Sequence, residues 1–259
     1  MKKIIVLGMN RTGTKLAAFL AAKYFAKTKV YLEPFTWDRG INAALSDDWQ
    51  PQQQERKRNT LGIDAHRSLH IVSPADETSS WLNDTLNSEW DVLKFIEIGR
   101  AGLIYRYAPD AAYILLIRHP LAFLASIAGM GAARDAVIEQ AERLIKDEGF
   151  QDPLPDADQH LTPELAGCAR AYHILYSHLA RFRPAHGVKI SYEDMISKPD
   201  PFEILTTNDL PAFPYSHKAP LLGASTQRVL SEQASRYITE HLLPVYQAFL
   251  NSDRLQPKP

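Results

Sequence analysis

The chain has 259 residues, 45% of them hydrophobic, with 29 basic and 30 acidic side chains and a formal net charge of -1. That length buries a substantial core, and the charge balance leaves no global field for nucleic acid or an anionic membrane, so any anion-binding power has to be local. The single cysteine, Cys168, excludes an intramolecular disulfide framework and a cysteine-rich metal site; it suits a reducing compartment and reads as a small buried helix residue.

At the start, the apolar stretch behind Met1-Lys2-Lys3 is too short for a signal peptide and is interrupted by Asn10 and Arg11. No run of about 18 apolar residues follows anywhere, so a cytoplasmic protein without a membrane span is expected. Lys3 to Leu7 reads as a strand. Behind it, GMNRTGTKL (residues 8–16) nearly matches the phosphate-binding loop of nucleotide hydrolases: Gly8 and Gly13 are spaced correctly, but Thr14 intervenes before Lys15. A strand passing through these glycines into a helix aims backbone N–H groups and the positive helix end at one point, which makes an anion site. Arg11 and Lys15 add charge, Thr12 and Thr14 add hydroxyls, and Gly13 lets backbone approach a ligand closely. The alternative is a ligand-free turn. Leu16, Phe19, Leu20 and Tyr24 continue at helical spacing.

Lys29 to Leu32 reads as the second strand, ended by Glu33 and Pro34. A carboxylate at that place is either a solvated charge or a base facing the site. Trp37 to Asn87 is polar and breaks the alternation; Trp37 and Trp49 either stack on a sugar or pack in the core. His66 and His70 lack the context of a metal site, and no metal is expected. Val92 to Ile96 is the third strand. Strand alternation sends Lys94 and Glu97 to opposite faces unless the strand ends between them.

Tyr113 to Ile117 is the fourth strand, in AAYILLIRHPLAFLAS (residues 111–126). Arg118 ends it, Pro120 starts a helix, and Ser126 follows about two turns on, so a planar fork and a hydroxyl can meet one phosphate. Asp147 to Leu161 is a second interruption, and Ala166, Ala169, Tyr172, His173 and Tyr176 recur at helical spacing. Val188 to Ser191 is the fifth strand, and a last helix is predicted from about Ser231 to Leu250, capped by Ser231 and kinked or broken at Pro244. Strands apolar on both faces between helices predict an α/β, P-loop-like three-layer fold with a central, mostly parallel sheet flanked by helices. One domain over 1–259 is expected, with acceptor-side insertions around 37–87 and 147–161.

With these segments in hand, the chain resembles the sulfotransferases that use 3′-phosphoadenylyl sulfate. Arg11-Thr12-Gly13-Thr14-Lys15 looks like their first motif; Arg118, Pro120 and Ser126 look like the second; Ser191-Tyr192-Glu193-Asp194-Met195 echoes a Tyr-Glu-Asp-Leu segment after a late strand. The resemblance spans roughly residues 3 to 250. It implies that Arg11, Thr12, Gly13, Thr14 and Lys15, with Leu16, hold the 5′-phosphosulfate, and that Arg118 and Ser126 bind the 3′-phosphate, with the 3′-phosphoadenosine 5′-phosphate product released. Ser225 and Arg228, in Gly223-Ala-Ser225-Thr-Gln-Arg228, look like a closing loop over that phosphate. Tyr192 is either near the adenine or packed under the sheet. Glu33-Pro34 resembles the segment of carbohydrate sulfotransferases whose Glu is the proposed base, which implies a small-molecule or glycan acceptor. The Lys-Thr-His segment of small-molecule sulfotransferases keeps only Lys94 here, as Phe95 and Ile96 replace the rest; Lys94 is a candidate for catalysis and Glu97 a reserve base. Lys15 in place of Thr or Ser, and His119 in place of Asp, depart from the pattern.

Two rivals remain open at this point. An ATP-dependent small-molecule kinase predicts a magnesium requirement and Lys where Thr14 stands. A noncatalytic nucleotide- or anion-binding protein predicts binding that survives Glu33→Gln with no transfer in either form.

Overall fold

The computed structural model describes residues 3–27, 29–32, 39–42, 83, 86, 87, 89–198, 200–206, 208, 210 and 229–252. Six strands form one sheet in the order β3-β2-β4-β1-β5-β6: β1 (Ile4–Leu7), β2 (Lys29–Leu32), β3 (Arg39–Asn42), β4 (Val92–Phe95), β5 (Ala112–Ile117) and β6 (Gly187–Ser191). Five run parallel, and β3 pairs antiparallel with β2 at the edge. The five expected strands all form, each within a residue of its expected ends. Strand β3 lies inside the stretch read as an insertion. Its sequence, Arg-Gly-Ile-Asn, has one strong β-former, so pairing with β2 rather than local propensity makes it a strand.

Among the described residues the α-helices are α1 (Thr14–Tyr24), α2 (Ala101–Tyr107), α3 (Pro120–Ile127), α4 (Gly131–Glu148), α5 (Ala157–His160), α6 (Pro163–Ala180), α7 (Tyr192–Ser197) and α8 (Glu232–Asn251). Alternate strand residues feed two cores. On one face Ile5, Leu7, Leu93, Phe95, Leu115 and Ile117 pack with α3, α4, α6 and α8. On the other, Ile4, Val6, Val92, Ile114 and Leu116 pack with α1 and Met195 of α7. Burial on both faces is why the strands read as continuous apolar runs. Cys168 is buried in α6 as expected.

Helix α8 begins at its expected cap, with Ser231 Oγ accepting from Ala234 N at 3.1 Å. It does not break at Pro244, which lies exposed inside an unbroken helix, contrary to one of the two outcomes the proline allowed. Tyr237, Ile238, Leu242, Val245 and Phe249 are buried along one stripe, and that burial outweighs the lost backbone bond. The stretch 147–161 holds the end of α4 and all of α5, and is tied to α6 by Arg170, which donates to Asp152 at 3.0 Å and to Asp158 at 2.5 Å.

Register places the site. Leu7 of β1 aligns with Phe95 of β4 and Leu115 of β5, so the carboxyl ends of the three central strands lie side by side. The turns that follow them, at Gly8 to Gly13, Ile96 to Glu97 and Arg118 to His119, gather along the edge where open parallel sheets bind ligands.

Candidate functional site

The first turn is built around two left-handed residues, Arg11 at φ 68° and Gly13 at φ 86°. Arg11 is not glycine, so this conformation stores on the order of 1–2 kcal/mol, which surrounding contacts must offset. They do so locally: Thr12 Oγ1 donates to Met9 O at 2.7 Å, and Thr12 N donates to the same oxygen at 3.3 Å. The Thr12 hydroxyl is fully buried, and the proton it carries is spent on the turn itself. Helix α1 then opens with Ala17 N donating to Gly13 O at 2.9 Å. The N–H groups of Thr14, Lys15 and Leu16 therefore have no acceptor within the helix. No acidic residue stands in this first turn, and Gly13 supplies no side-chain cap. Leu16 reaches the site through its backbone only, because its side chain is in the core; Lys15 is exposed on the first turn.

The second turn meets the first directly. Arg118 Nη1 donates to Arg11 O at 3.0 Å, and Arg11 Nε donates to Ser126 Oγ at 3.1 Å. The structure thus brings Arg11 together with Arg118 and Ser126, each of which lies more than 100 residues from it in the chain. Tyr192 joins them from α7: its ring lies under the Arg118 guanidinium at 5.0 Å and against Gly13, where an added Cβ would fall 2.3 Å from a ring carbon. Tyr192 thus packs between the two turns.

Burial pulls the Arg118 guanidinium below its ordinary pKa; Tyr192 and Glu193 work against that, and neighbouring Arg11 adds to it. Arg118 Nε is buried with no hydrogen-bond partner among the described residues. Two adjacent guanidinium groups, one desolvated with an orphaned donor, beside a helix start make a cradle for a ligand carrying more than one anionic group. The cradle fits a phosphorylated nucleotide donor on these grounds.

Beneath the turns, α6 supplies two tyrosines one helical turn apart. Tyr172 Oη donates to Arg118 O at 2.8 Å, and Tyr176 Oη donates to Leu116 O at 2.9 Å. Desolvation pushes both phenols up, so they stay protonated donors. Sequence reasoning placed both on a buried helix face without assigning them a role; the available signal was that buried tyrosine hydroxyls need acceptors.

Strand β4 ends at Phe95, between Lys94 and Glu97, so the alternation rule does not bind them. Lys94 is buried, in register with Val6 and Leu32 on the face that α1 covers. Glu97 is also buried: its Oε2 accepts from Ile96 N at 3.1 Å, while Gln140 Nε2 donates to Ile96 O at 3.2 Å. Glu33, Ser225, Arg228, Trp37, Trp49, His66 and His70 lie outside the described residues. Among the described residues, no group of three or more His, Cys, Asp or Glu could hold a metal ion, and no helix is long and apolar enough to cross a membrane.

The doubly covered, mostly parallel sheet thus joins two turns at its carboxyl edge through Arg11, Arg118 and Ser126. A model of the sulfotransferase family matches residues 3–202, and the chain belongs to that family. Its members transfer sulfuryl groups. No curated protein matches the chain. Among solved structures it is similar to a sulfotransferase from Alicyclobacillus acidocaldarius, at 13% identity and TM-score 0.43, covering 100% of this chain and 97% of that one. It is also similar to the sulfotransferase domain from the curacin biosynthetic pathway, at 13% identity and TM-score 0.36, covering 100% of this chain and 93% of that one.

Proposed function

We propose that this protein transfers a sulfuryl group from 3′-phosphoadenylyl sulfate to an acceptor hydroxyl. A carbohydrate or glycolipid is the first acceptor class to test. When bound, the donor supplies the sulfuryl group and leaves as 3′-phosphoadenosine 5′-phosphate. The observation that carries the reading is the bonded chain Arg118–Arg11–Ser126, which joins the turn suited to one phosphate with the turn suited to another.

In this reading Arg118 and Ser126 bind the 3′-phosphate, with Ser225 and Arg228 closing over it. Arg11, Lys15 and the N–H groups of Thr14 and Leu16 hold the 5′ end, and Thr12 and Gly13 shape that turn. Preorganised positive charge at the departing oxygen is the largest contribution such a site makes. Lys94 adds a cation from the neighbouring strand, and Tyr192 supports the nucleotide between the turns. Glu33 takes the proton from the acceptor hydroxyl. Glu97 is the reserve, although its Oε2 already accepts from Ile96 N. We take the fold as a single domain over 1–259, with 37–87 and 147–161 walling the acceptor side, working in the cytoplasm without a metal.

The test is thermal stabilisation by 3′-phosphoadenosine 5′-phosphate against ADP with magnesium. At 100 times its Kd a ligand adds about 2.7 kcal/mol, which raises the midpoint by about 5–11 °C in a chain of this size. A rise with ADP and magnesium but not with the 3′-phosphorylated nucleotide refutes the donor. Glu33→Gln is expected to cut turnover while leaving nucleotide affinity intact; near-normal turnover moves the base elsewhere.

A further inference from the structure

The peptide group that links Arg118 to His119 is held at both ends. Its carbonyl oxygen accepts from Tyr172 Oη at 2.8 Å, and its N–H donates to the Glu193 carboxylate, at 3.2 Å to Oε1 and 3.4 Å to Oε2. The two partners come from opposite faces of the sheet, Tyr172 from α6 and Glu193 from α7. Each is itself fixed. Tyr172 is fully buried, packed on Phe123 at 5.3 Å and Tyr176 at 4.8 Å. Glu193 sits in the first turn of α7, which Ser191 caps by accepting from Asp194 N at 2.9 Å. His119 is the N-cap of α3 and has no side-chain cap bond of its own, so Glu193 also places negative charge at that helix start.

We infer that Tyr172 and Glu193 are positioning residues that lock the Arg118–His119 peptide plane and so aim the Arg118 guanidinium at the 3′-phosphate. Anchoring this plane at both ends restrains the two soft torsions beside it, ψ of Arg118 and φ of His119. The first sets the angle between the Arg118 Cα–Cβ bond and the anchored plane. The same guanidinium bonds Arg11 O, so a tilted plane would also loosen the first turn. Tyr192, next to Glu193 in the chain, holds the other end of that side chain through its ring, which makes the segment 192–193 a clamp on the second turn. The inference rests on the proposed role of Arg118 in 3′-phosphate binding.

The test uses the full chain and 3′-phosphoadenosine 5′-phosphate, with AMP as the probe that lacks the 3′-phosphate. Glu193→Ala and Tyr172→Phe are each expected to weaken 3′-phosphoadenosine 5′-phosphate binding about tenfold, to weaken AMP binding far less, and to raise the donor KM rather than lower kcat. Glu193→Gln keeps an oxygen acceptor for His119 N–H and is expected to restore most of the affinity. In an Arg118→Ala background the effect of Glu193→Ala on affinity should vanish. Equal weakening of both nucleotides, or the same loss with and without Arg118, overturns the inference by making Glu193 a general structural residue. If Arg118→Ala itself leaves 3′-phosphoadenosine 5′-phosphate affinity intact, the 3′-phosphate assignment fails first and takes the inference with it. Should Tyr172→Phe fail to fold, the Glu193 series decides alone.

Discussion

Replacing Gly13 by alanine tests whether the first turn and Tyr192 are packed as a unit. The new Cβ would lie 2.3 Å and 2.7 Å from two carbons of the Tyr192 ring, closer than real Cβ contacts come, and φ at this position is +86°. The left-handed backbone costs an L-residue about 1–2 kcal/mol, and forcing the ring aside adds an overpacking cost of about 1–3 kcal/mol. Gly149 is the control, because it shares the positive φ, at +67°, but has nothing within 4 Å of an added Cβ. Gly149→Ala should therefore cost the backbone share alone. In thermal unfolding, a total near 3 kcal/mol for Gly13→Ala corresponds to a midpoint lowered by about 6–12 °C. Combining Gly13→Ala with Tyr192→Ala removes the obstacle, so the alanine at 13 should then cost no more than the one at 149. If Gly13→Ala and Gly149→Ala are equally destabilising in the wild-type background, the ring does not press on the turn and the packing argument is wrong.

Two further outcomes follow from burial. Burial pushes the Cys168 thiol up from 9.0 to about 12, so at pH 8 it should resist a thiol-specific reagent until the chain unfolds; rapid labelling of the native protein would contradict this. Stability should fall on the alkaline side, beginning near pH 9. The folded state keeps the Cys168 proton while the unfolded chain loses it, so the stabilisation is complete below the unfolded pKa and is lost as pH rises through the folded one. The phenols of Tyr113, Tyr172 and Tyr176 are raised by desolvation in the same sense and steepen the loss above about pH 10. Urea midpoints at pH 8, 9 and 10 measure it, and a flat profile would refute the sign.

The sheet was legible because both of its faces are covered. Runs such as Ile4 to Leu7 and Ala112 to Ile117 carry no polar residue to blur them, and each is bounded by a glycine or by a charged residue. Strand β3 lacked that signature because an edge strand's identity lies in its partner, Lys29 to Leu32. In the site, the residue types that bind anions stood out by themselves, but how they interlock did not. Nothing in the spacing of Arg11 and Arg118 says that the side chain of one donates to the backbone oxygen of the other. Thr12 reads as a ligand hydroxyl, and nothing in the sequence says that its proton closes the turn onto Met9 O. Glu193 lay within a recognised segment, yet its task became visible only when β6 and β5 were side by side, 74 residues closing to one hydrogen bond.

Arg11 is where the two turns become one device, and this has a measurable consequence. Its carbonyl oxygen receives Arg118, while its side chain holds Ser126, so it acts through backbone on one partner and through side chain on the other. Arg11→Ala deletes only the second contact. If the Arg11–Ser126 bond helps to preform the cradle, Arg11→Ala and Ser126→Ala should be non-additive in 3′-phosphoadenosine 5′-phosphate affinity. The coupling should be about 1.5 kcal/mol, or roughly tenfold, the low end for one hydrogen bond to a charged donor. Both single variants retain the Arg11 carbonyl, so Arg118 keeps its anchor in each and the cycle isolates the side-chain bond. Additive losses would mean that the two residues meet the ligand separately, and that their contact is a neighbourly one without a share in holding the turns together.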